Sequence, residues 1–262
     1  MNSRGTNHNH WWDFHHDWQE NEGEVIEEIA LTIYINGQDF VSIMGTPLNQ
    51  DWLAVGFLMN ERIISSLDDI VDIRVTEDGC CIDVWLTHTI EKPSRMFLTS
   101  GCGGGLIFDD PRIGVEPFKT DISTTPDVIL RAFNVLQTKE SLYARARGVH
   151  AAGLLDLGSG ELVKVAEDIG RHNTIDKLRG ACLLGGISTT NRALLTTGRI
   201  SSEMLRKGAL MGCQMIASRT SPTSFALELA KAWNITLIGY ARHGKLRVYC
   251  YPERLGFEYR PG

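Results

Sequence analysis

Hydrophobic and polar residues alternate from Ile26 to Met44, with an interruption at Asn36-Gly37. A period of two is typical of a strand with one buried face, and Asn-Gly accepts the positive φ angles of a tight hairpin turn. The pattern therefore predicts two antiparallel strands. A helical spacing of apolar residues follows over 52–59, and further strands are predicted near 70–75, 80–86 and 95–98. Together these elements predict a small α+β domain over residues 25–120.

A different pattern begins at Thr125, where a threonine N-cap and Pro126 at the first helical position predict the start of a helix. Strands and helices then alternate along the chain. The predicted order is a strand at 162–165, a helix at 173–184, a strand at 193–197, a helix at 202–211, a strand at 214–217, a helix at 223–233 and a strand at 235–239. This alternation predicts an α/β domain over residues 121–262, with a parallel sheet covered by helices.

The first 24 residues have a different composition from the rest of the chain. Histidine, tryptophan, asparagine and acidic residues dominate from Asn7 to Glu22, with no period of two or 3.6. We therefore predict an extended, poorly ordered tail over residues 1–24. Its histidines have two interpretations, adventitious metal binding and a solvated arm, and composition favours the solvated arm.

The composition excludes several classes of protein. The chain has 262 residues, of which 43% are hydrophobic and 22% charged, and its net charge is −6. A negative net charge provides no general attraction for nucleic acid or anionic lipid, so any anion site must be a local cluster of cations. No basic segment leads into an apolar run, and no stretch offers about 18 uninterrupted apolar residues. We expect a cytoplasmic protein that binds neither membrane nor nucleic acid.

One cysteine lies in an unusual sequence environment. No two of the six cysteines have C-x-x-C spacing, and the sequence shows no secretion signal. The cysteines are therefore interpreted as thiols. Cys182 and Cys213 lie on apolar stretches, where a cysteine packs as a small hydrophobic residue. Cys102, by contrast, lies between Gly101 and the run Gly103-Gly104-Gly105. Glycine and hydroxyl neighbours give it little to pack against, and the backbone N–H groups of such a loop favour a thiolate. Cys102 is therefore the candidate reactive thiol.

Polar and basic residues follow three predicted strands of the α/β domain. In an open parallel sheet, ligands bind beyond the carboxyl ends of the strands. Each of these strand ends offers an arginine, and arginine donates two parallel hydrogen bonds to phosphate. The candidate ligands are Thr197, Gly198, Arg199, Ser201, Ser202, Arg219, Ser221, Tyr240, Ala241, Arg242, His243, Gly244 and Lys245. We predict that they bind a ligand with a pyrophosphate group.

Arg171 and His172 lead into a predicted helix, where the helix dipole disfavours cations. A bound anion would resolve this conflict, which makes both residues candidates for the same site. Alternatively, both side chains point into water or pair with Glu167 or Asp168. The sequence leaves the two interpretations open.

Four segments of this sequence resemble the formate dehydrogenase accessory protein family, FdhD. The resemblance extends from about Glu27 to Leu255 and therefore covers both predicted domains. The segments are Thr99 to Gly105, Gly148 to Ala152, Glu167 to Lys177 and Gly198 to Glu203.

The resemblance implies a fold, a reaction and several partners. It implies a small N-terminal α+β domain joined to a cytidine-deaminase-like, three-layer α/β/α domain, in a homodimer. The client is the bis(molybdopterin guanine dinucleotide) cofactor of molybdenum or tungsten, required by a formate dehydrogenase, and the sulfur donor is a cysteine desulfurase. Carried over by position, Cys102 bears a persulfide and the turn Tyr240 to Lys245 contacts the cofactor. The chain would then be a sulfurtransferase-type sulfur carrier.

One departure from the family pattern and two alternative functions remain. Many relatives have C-x-x-C in the glycine loop, whereas this chain has Gly105 at the second position, so a relay between two loop cysteines is excluded.

A zinc-dependent deaminase would need H-x-E and P-C-x-x-C, but this chain has His150-Ala151-Ala152 and no P-C-x-x-C. We therefore expect no zinc. The second alternative is a chaperone that binds the nucleotide cofactor without a covalent sulfur step.

Overall fold

A computed structural model describes residues 5–90, 97–98, 106–107, 114–119, 122–138 and 140–258. The strands are Thr6–Phe14 (β1), Trp18–Ile26 (β2), Ile29–Ile35 (β3), Gln38–Gly45 (β4), Ile70–Val75 (β5), Cys81–Leu86 (β6), Phe97–Leu98 (β7), Leu106–Ile107 (β8), His150–Asp156 (β9), Leu162–Asp168 (β10), Arg192–Thr196 (β11), Met215–Ser218 (β12), Thr236–Arg242 (β13) and Lys245–Cys250 (β14). The α-helices are Gln50–Asn60 (α1), Pro126–Val135 (α2), Leu142–Ala146 (α3), Arg171–Leu184 (α4), Ser202–Leu210 (α5) and Ser224–Ala232 (α6). The predicted reactive residue, Cys102, lies outside the described residues.

Strands β3 to β6 and helix α1 form an α+β unit. Its four-stranded sheet has the order β4-β3-β6-β5. Asn36 and Gly37 both adopt positive φ, as the predicted hairpin turn between β3 and β4 requires. The inward side chains of the sheet pack against α1, and the core includes Leu31, Ile33 and Leu58. The short pair β7–β8 lies apart from this sheet in the strand order.

Helix α1 packs against α4 at a distance that only glycine permits. A Cβ atom on Gly56 would lie 1.8 Å from the carbonyl oxygen of Asp176, and one on Gly180 would lie 2.0 Å from that of Trp52. Both separations are far below a normal contact, so a larger residue at either position would push the helices apart. The two glycines therefore allow α1 to be buried between the first sheet and α4.

The second sheet has six strands in the order β10-β9-β11-β12-β13-β14. Strands β11, β12 and β13 are parallel, as predicted. At the two edges of the sheet the pairing is antiparallel, between β9 and both of its neighbours, β10 and β11, and between β13 and β14. The connections from β9 to β10 and from β13 to β14 are only a few residues long, and such short connections can join only antiparallel neighbours. Strand β9 itself was not predicted.

Helices cover both faces of this sheet. Helix α2 packs on one face, against strand residues such as Leu195 and Ile238. Helices α4, α5 and α6 pack on the other face, against strand residues such as Leu194 and Leu237. The resulting three layers match the predicted layer order, whereas the likeness to cytidine deaminase stays a prediction. Among the residues described, no helix combines the length and the apolar character needed to cross a bilayer.

The predicted disordered tail is instead a β-hairpin. Strands β1 and β2 pair antiparallel in a continuous register from Thr6↔Ile26 to Phe14↔Trp18. Arg145 of α3 anchors the open end of this hairpin, since its guanidinium donates to Glu24 at 2.6 and 2.8 Å. The sequence showed no alternation because both faces of the hairpin are largely exposed and carry polar as well as aromatic residues. Backbone pairing between two strands does not require a buried apolar face.

Candidate functional site

The three parallel strands bring most of the predicted ligands to one edge of the second sheet. Strands β11, β12 and β13 end at Thr196, Ser218 and Arg242 on the same edge. Backbone hydrogen bonds then connect the loops that follow. The amide of Ile200 donates to Ser221 O at 3.2 Å, and the amide of Tyr240 donates to Thr220 O at 2.9 Å.

The loop after β11 contacts the N-terminus of α4 and leads into the N-terminus of α5. Thr197 Oγ1 accepts from the amide of Ala151 at 3.0 Å and lies 3.3 Å from Nδ1 of His150. A Cβ atom on Gly198 would lie 2.7 Å from Cβ of Arg171, so glycine permits the approach of α4. Ser201 caps α5 by accepting from the amide of Met204. In the same loop Arg199 is exposed and Ser202 is half-buried.

His172 is buried in a contact that the sequence did not predict. Its Nε2 lies 3.4 Å from Glu203 Oε2, and both side chains are largely inaccessible to solvent. Burial is the main cause that lowers the pKa of His172 to about 3, and the nearby charges of Lys207 and Arg171 contribute to the same decrease. The ring is therefore neutral at pH 7, and its contact with Glu203 is not an ion pair. The side chain of His172 therefore neither points into water nor pairs with Glu167 or Asp168.

The two acids proposed as partners of Arg171 and His172 have other roles. Glu167 accepts from the amides of Leu142 and Tyr143, at 2.8 and 3.3 Å, and so caps α3. Asp168 pairs with the fully buried Lys177 at 2.6 Å and accepts from the amide of Thr46 at 3.1 Å. Arg171 is half-buried beside Gly198.

We predict that the buried His172 makes the protein less stable in mild acid. The pKa of His172 is about 3 in the folded chain and 6.5 when unperturbed, so the unfolded chain binds the proton first and stability falls as pH decreases below about 6.5. Between pH 7 and pH 5 the loss from this residue is about 2 kcal/mol. Urea unfolding of the wild type and of His172→Gln at both pH values measures it. An equal pH dependence in both proteins would contradict the assignment.

Arg219 is held by α2 and by the segment that follows it. Its guanidinium donates to the carbonyl oxygen of Phe133 at 2.6 Å and to Oε1 of Gln137 at 2.5 Å. Partial burial lowers its pKa. Two of its donor groups are thus engaged within the fold, although the residue follows β12 at the predicted edge.

The turn between β13 and β14 forms a cationic pocket. Tyr240, His243 and Gly244 have positive φ, which makes the turn tight and leaves the side chains of Arg242 and Lys245 exposed. Ala241, in contrast, is buried in the core beneath the turn. A pocket of about 470 Å³ is lined by Tyr240, Arg242, His243, Lys245, Leu246 and Arg247.

Arg247 is a pocket residue that sequence reasoning missed. Its Cζ atom lies 4.3 Å from the centroid of the Tyr240 ring. The signal was present in the alternation of β14, where Lys245 and Arg247 are two positions apart and therefore share a face. The sequence did not show that the turn brings β14 back against Tyr240, and this contact is what makes Arg247 a pocket residue.

Four of the cysteines that the structure describes are poor candidates for a reactive thiol. Cys182 and Cys213 are buried, as predicted, and burial raises their pKa values to about 11 and about 12. Burial also raises the pKa of Cys250, and partial desolvation raises that of the half-buried Cys80. A thiol with a raised pKa is rarely ionised at neutral pH. Cys102, which the sequence singled out, stays the predicted reactive thiol and lies outside the described residues.

The sequence model of the FdhD/NarQ family matches residues 26–256. The chain belongs to the FdhD/NarQ family. It is 34% identical over 252 residues to a Bacillus subtilis protein named sulfur carrier protein FdhD, covering 91% of this chain and 95% of the relative. It is 35% identical over 247 residues to a Listeria monocytogenes protein of the same name, covering 91% and 94%.

A solved structure resembles the whole fold. It is the crystal structure of a protein from Desulfotalea psychrophila described as a "putative formate dehydrogenase accessory protein". The TM-score is 0.80 at 29% sequence identity, and the match covers 96% of this chain and 99% of the other. The solved structure therefore shares the fold of this chain.

The zinc-deaminase alternative gains no support at this edge of the sheet. Within the described ranges, the one group of three His, Cys, Asp or Glu side chains with ligand atoms close enough for a metal lies on the β1–β2 hairpin. His150 contacts the hydroxyl of Thr197, which is not a usual zinc ligand.

Proposed function

We propose that this chain accepts sulfane sulfur as a persulfide on Cys102 and transfers it to the bis(molybdopterin guanine dinucleotide) cofactor of molybdenum or tungsten, for use by a formate dehydrogenase. A cysteine desulfurase supplies the sulfur, and the working form is a homodimer. The observation that carries the proposal is the match over nearly the whole chain to relatives named sulfur carrier proteins. A sulfur carrier requires an accessible thiol, and the glycine loop contains the best candidate.

The sulfur steps balance without an external oxidant or reductant. The Cys102 thiolate attacks the terminal sulfur of the donor's persulfide, one S–S bond forms, the other breaks, and the donor leaves as a thiolate. In the second step a nucleophilic acceptor on the cofactor takes the terminal sulfur and Cys102 leaves as a thiolate. Gly105 replaces the second loop cysteine of many relatives, so one cysteine performs both steps.

The cationic pocket suits the nucleotide end of the client. Arg242, Lys245 and Arg247 supply positive charge around Tyr240, and the turn leaves them accessible. Guanidinium groups bind phosphate oxygens in pairs and also stack on planar rings. A guanine dinucleotide offers both a pyrophosphate and planar bases.

Intact-mass spectrometry tests the sulfur step directly. After incubation with a cysteine desulfurase and cysteine, we expect the wild type to gain the mass of one sulfur atom, and a reductant to remove it. Cys102→Ala should gain none. Cys80→Ala and Cys81→Ala are matched controls, because both remove half-buried thiols from the same domain and should still gain the sulfur. Sulfur that persists in Cys102→Ala and disappears in a control would refute the proposal.

We predict that Arg242→Ala weakens the binding of GDP by a factor on the order of ten, because it removes a charge-assisted contact to phosphate. Isothermal titration calorimetry measures the change. Arg74→Ala is the control, since Arg74 is an exposed arginine on β5 of the other sheet. Equal affinities for GDP in the wild type and Arg242→Ala would remove the β13–β14 turn from the site.

A further inference from the structure

The β1–β2 hairpin places two histidines and a glutamate on one face. Side chains that are two apart on a strand share a face, so His8 and His10 point the same way. The register pairs His10 with Glu22 directly across the hairpin. The nearest ligand atoms of His8, His10 and Glu22 all lie within 4.8 Å of one another, and His10 Nε2 is 3.7 Å from Glu22 Oε2.

The spacing of these atoms is close to that of a metal site. A tetrahedral zinc ion with bonds of about 2.0–2.1 Å keeps its ligand atoms about 3.4 Å apart. The separation of 3.7 Å between His10 and Glu22 is already near this value, and the others must shorten by no more than about 1.4 Å to reach it. The His10 and Glu22 side chains are each 63% exposed, so rotation about their χ angles can close the gap.

The neighbouring acids show which carboxylate is available. Glu24 lies across from His8 on the same face, but it accepts from Arg145 and from Thr6. Glu20 also shares this face and lies across from Trp12, one pair further along. Glu22 therefore lies between an occupied carboxylate and a more distant one, and it is the acid in reach of both imidazoles.

We propose that His8, His10 and Glu22 bind one first-row transition-metal ion that clips β1 to β2. Two imidazoles and one carboxylate, without a thiolate, suit Zn²⁺, Ni²⁺ or Cu²⁺ better than Mg²⁺ or Ca²⁺. The ion bridges the two strands near the middle of the hairpin, while Arg145 secures its open end. This site is independent of the sulfur chemistry at Cys102.

The histidines at the hairpin turn make a natural comparison. His15 and His16 lie at the tip of the same hairpin, where their ring centroids are 5.2 Å apart with the rings tilted by 33°. They match His8 and His10 in number and exposure. In the part of the chain that the structure describes, they do not belong to a group with three potential ligands.

Titration of the full chain with ZnCl₂ and with NiCl₂ tests the site. Calorimetry should show one ion per chain, and the fluorescence of Trp12, which shares the face, should change with the same stoichiometry. The double variant His8→Ala/His10→Ala should lose the binding. Glu22→Gln should weaken metal binding about tenfold or more. Loss of a residue that only supports a metal ligand already costs about that much, and Glu22 is proposed as a ligand itself. The controls Glu20→Gln and His15→Ala/His16→Ala should bind like the wild type.

Hydrogen exchange separates loss of the site from loss of the hairpin. In the wild type, added Zn²⁺ should slow the exchange of β1 and β2 amides, and this slowing should be absent in Glu22→Gln although its metal-free exchange matches that of the wild type. Binding that survives in His8→Ala/His10→Ala, or that disappears only in His15→Ala/His16→Ala, would overturn the proposal. Sulfur loading of Cys102 should be the same in all of these variants.

Discussion

Cys102→Ala should abolish the activation of formate dehydrogenase. The proposed reaction needs a nucleophilic sulfur for both steps, and alanine has none. In a reconstituted assay with a cysteine desulfurase and cysteine, we expect the dehydrogenase activity to fall to the level measured without this protein. GDP should still bind, because the described pocket at the β13–β14 turn is formed by residues 240–247.

This combination separates the sulfur carrier from a chaperone that only binds the cofactor. A chaperone needs the cationic pocket but not the thiol, so it would remain active as Cys102→Ala. Cys81→Ala provides the control for removing a thiol from the same part of the chain, and it should activate the dehydrogenase like the wild type. Full activity in Cys102→Ala would leave the chaperone as the function.

Asp176→Ala should be the most destabilising single substitution proposed for this chain. Lys207 Nζ lies 2.7 Å from Asp176 Oδ2, and both side chains are 2% exposed. Burial alone would lower the pKa of Lys207, but Asp176 and Glu203 outweigh it and raise that pKa. Removing Asp176 leaves a buried ammonium group with poorer compensation, and breaking such a pair costs about 3–5 kcal/mol. Urea denaturation at pH 7 measures the loss.

The chain contains a matched ion pair for comparison. Arg74 Nε and Asp72 Oδ2 are also 2.7 Å apart, but these side chains are 72% and 43% exposed. Water solvates both charges before and after the change, so Asp72→Ala should leave the free energy of unfolding within measurement error. A similar loss in the two variants would show that burial does not control the strength of these pairs.

The buried pairs also assign a role to the motif from Glu167 to Lys177. Lys177 pairs with Asp168 and donates to the carbonyl oxygen of Thr46, and Asp176 accepts from Asn60 of α1 at 2.6 Å. These contacts join α4 to the N-terminal unit across the interface of Gly56 and Gly180. Much of this family motif therefore holds the two parts of the chain together, and His172 is a neutral, buried neighbour of that network.

The sequence predicted the elements whose signal is local. The Asn36-Gly37 hairpin and the series from β11 to β13 were recognisable because periodicity and turn residues act over a few positions. The same kind of reasoning singled out Cys102, since its glycine neighbours adjoin it in the chain. The accessibility of this thiol stays a prediction, because Cys102 lies outside the described residues.

Only the tertiary structure decided which residues meet across long separations in sequence. It paired β1 with β2 and turned a predicted tail into a hairpin on which His8, His10 and Glu22 lie close together. It placed β9 antiparallel beside β11, buried His172 against Glu203, and stacked Arg247 on Tyr240. The physical reason is that strand register and side-chain burial depend on the packing of distant segments, whereas periodicity records only the environment of each segment.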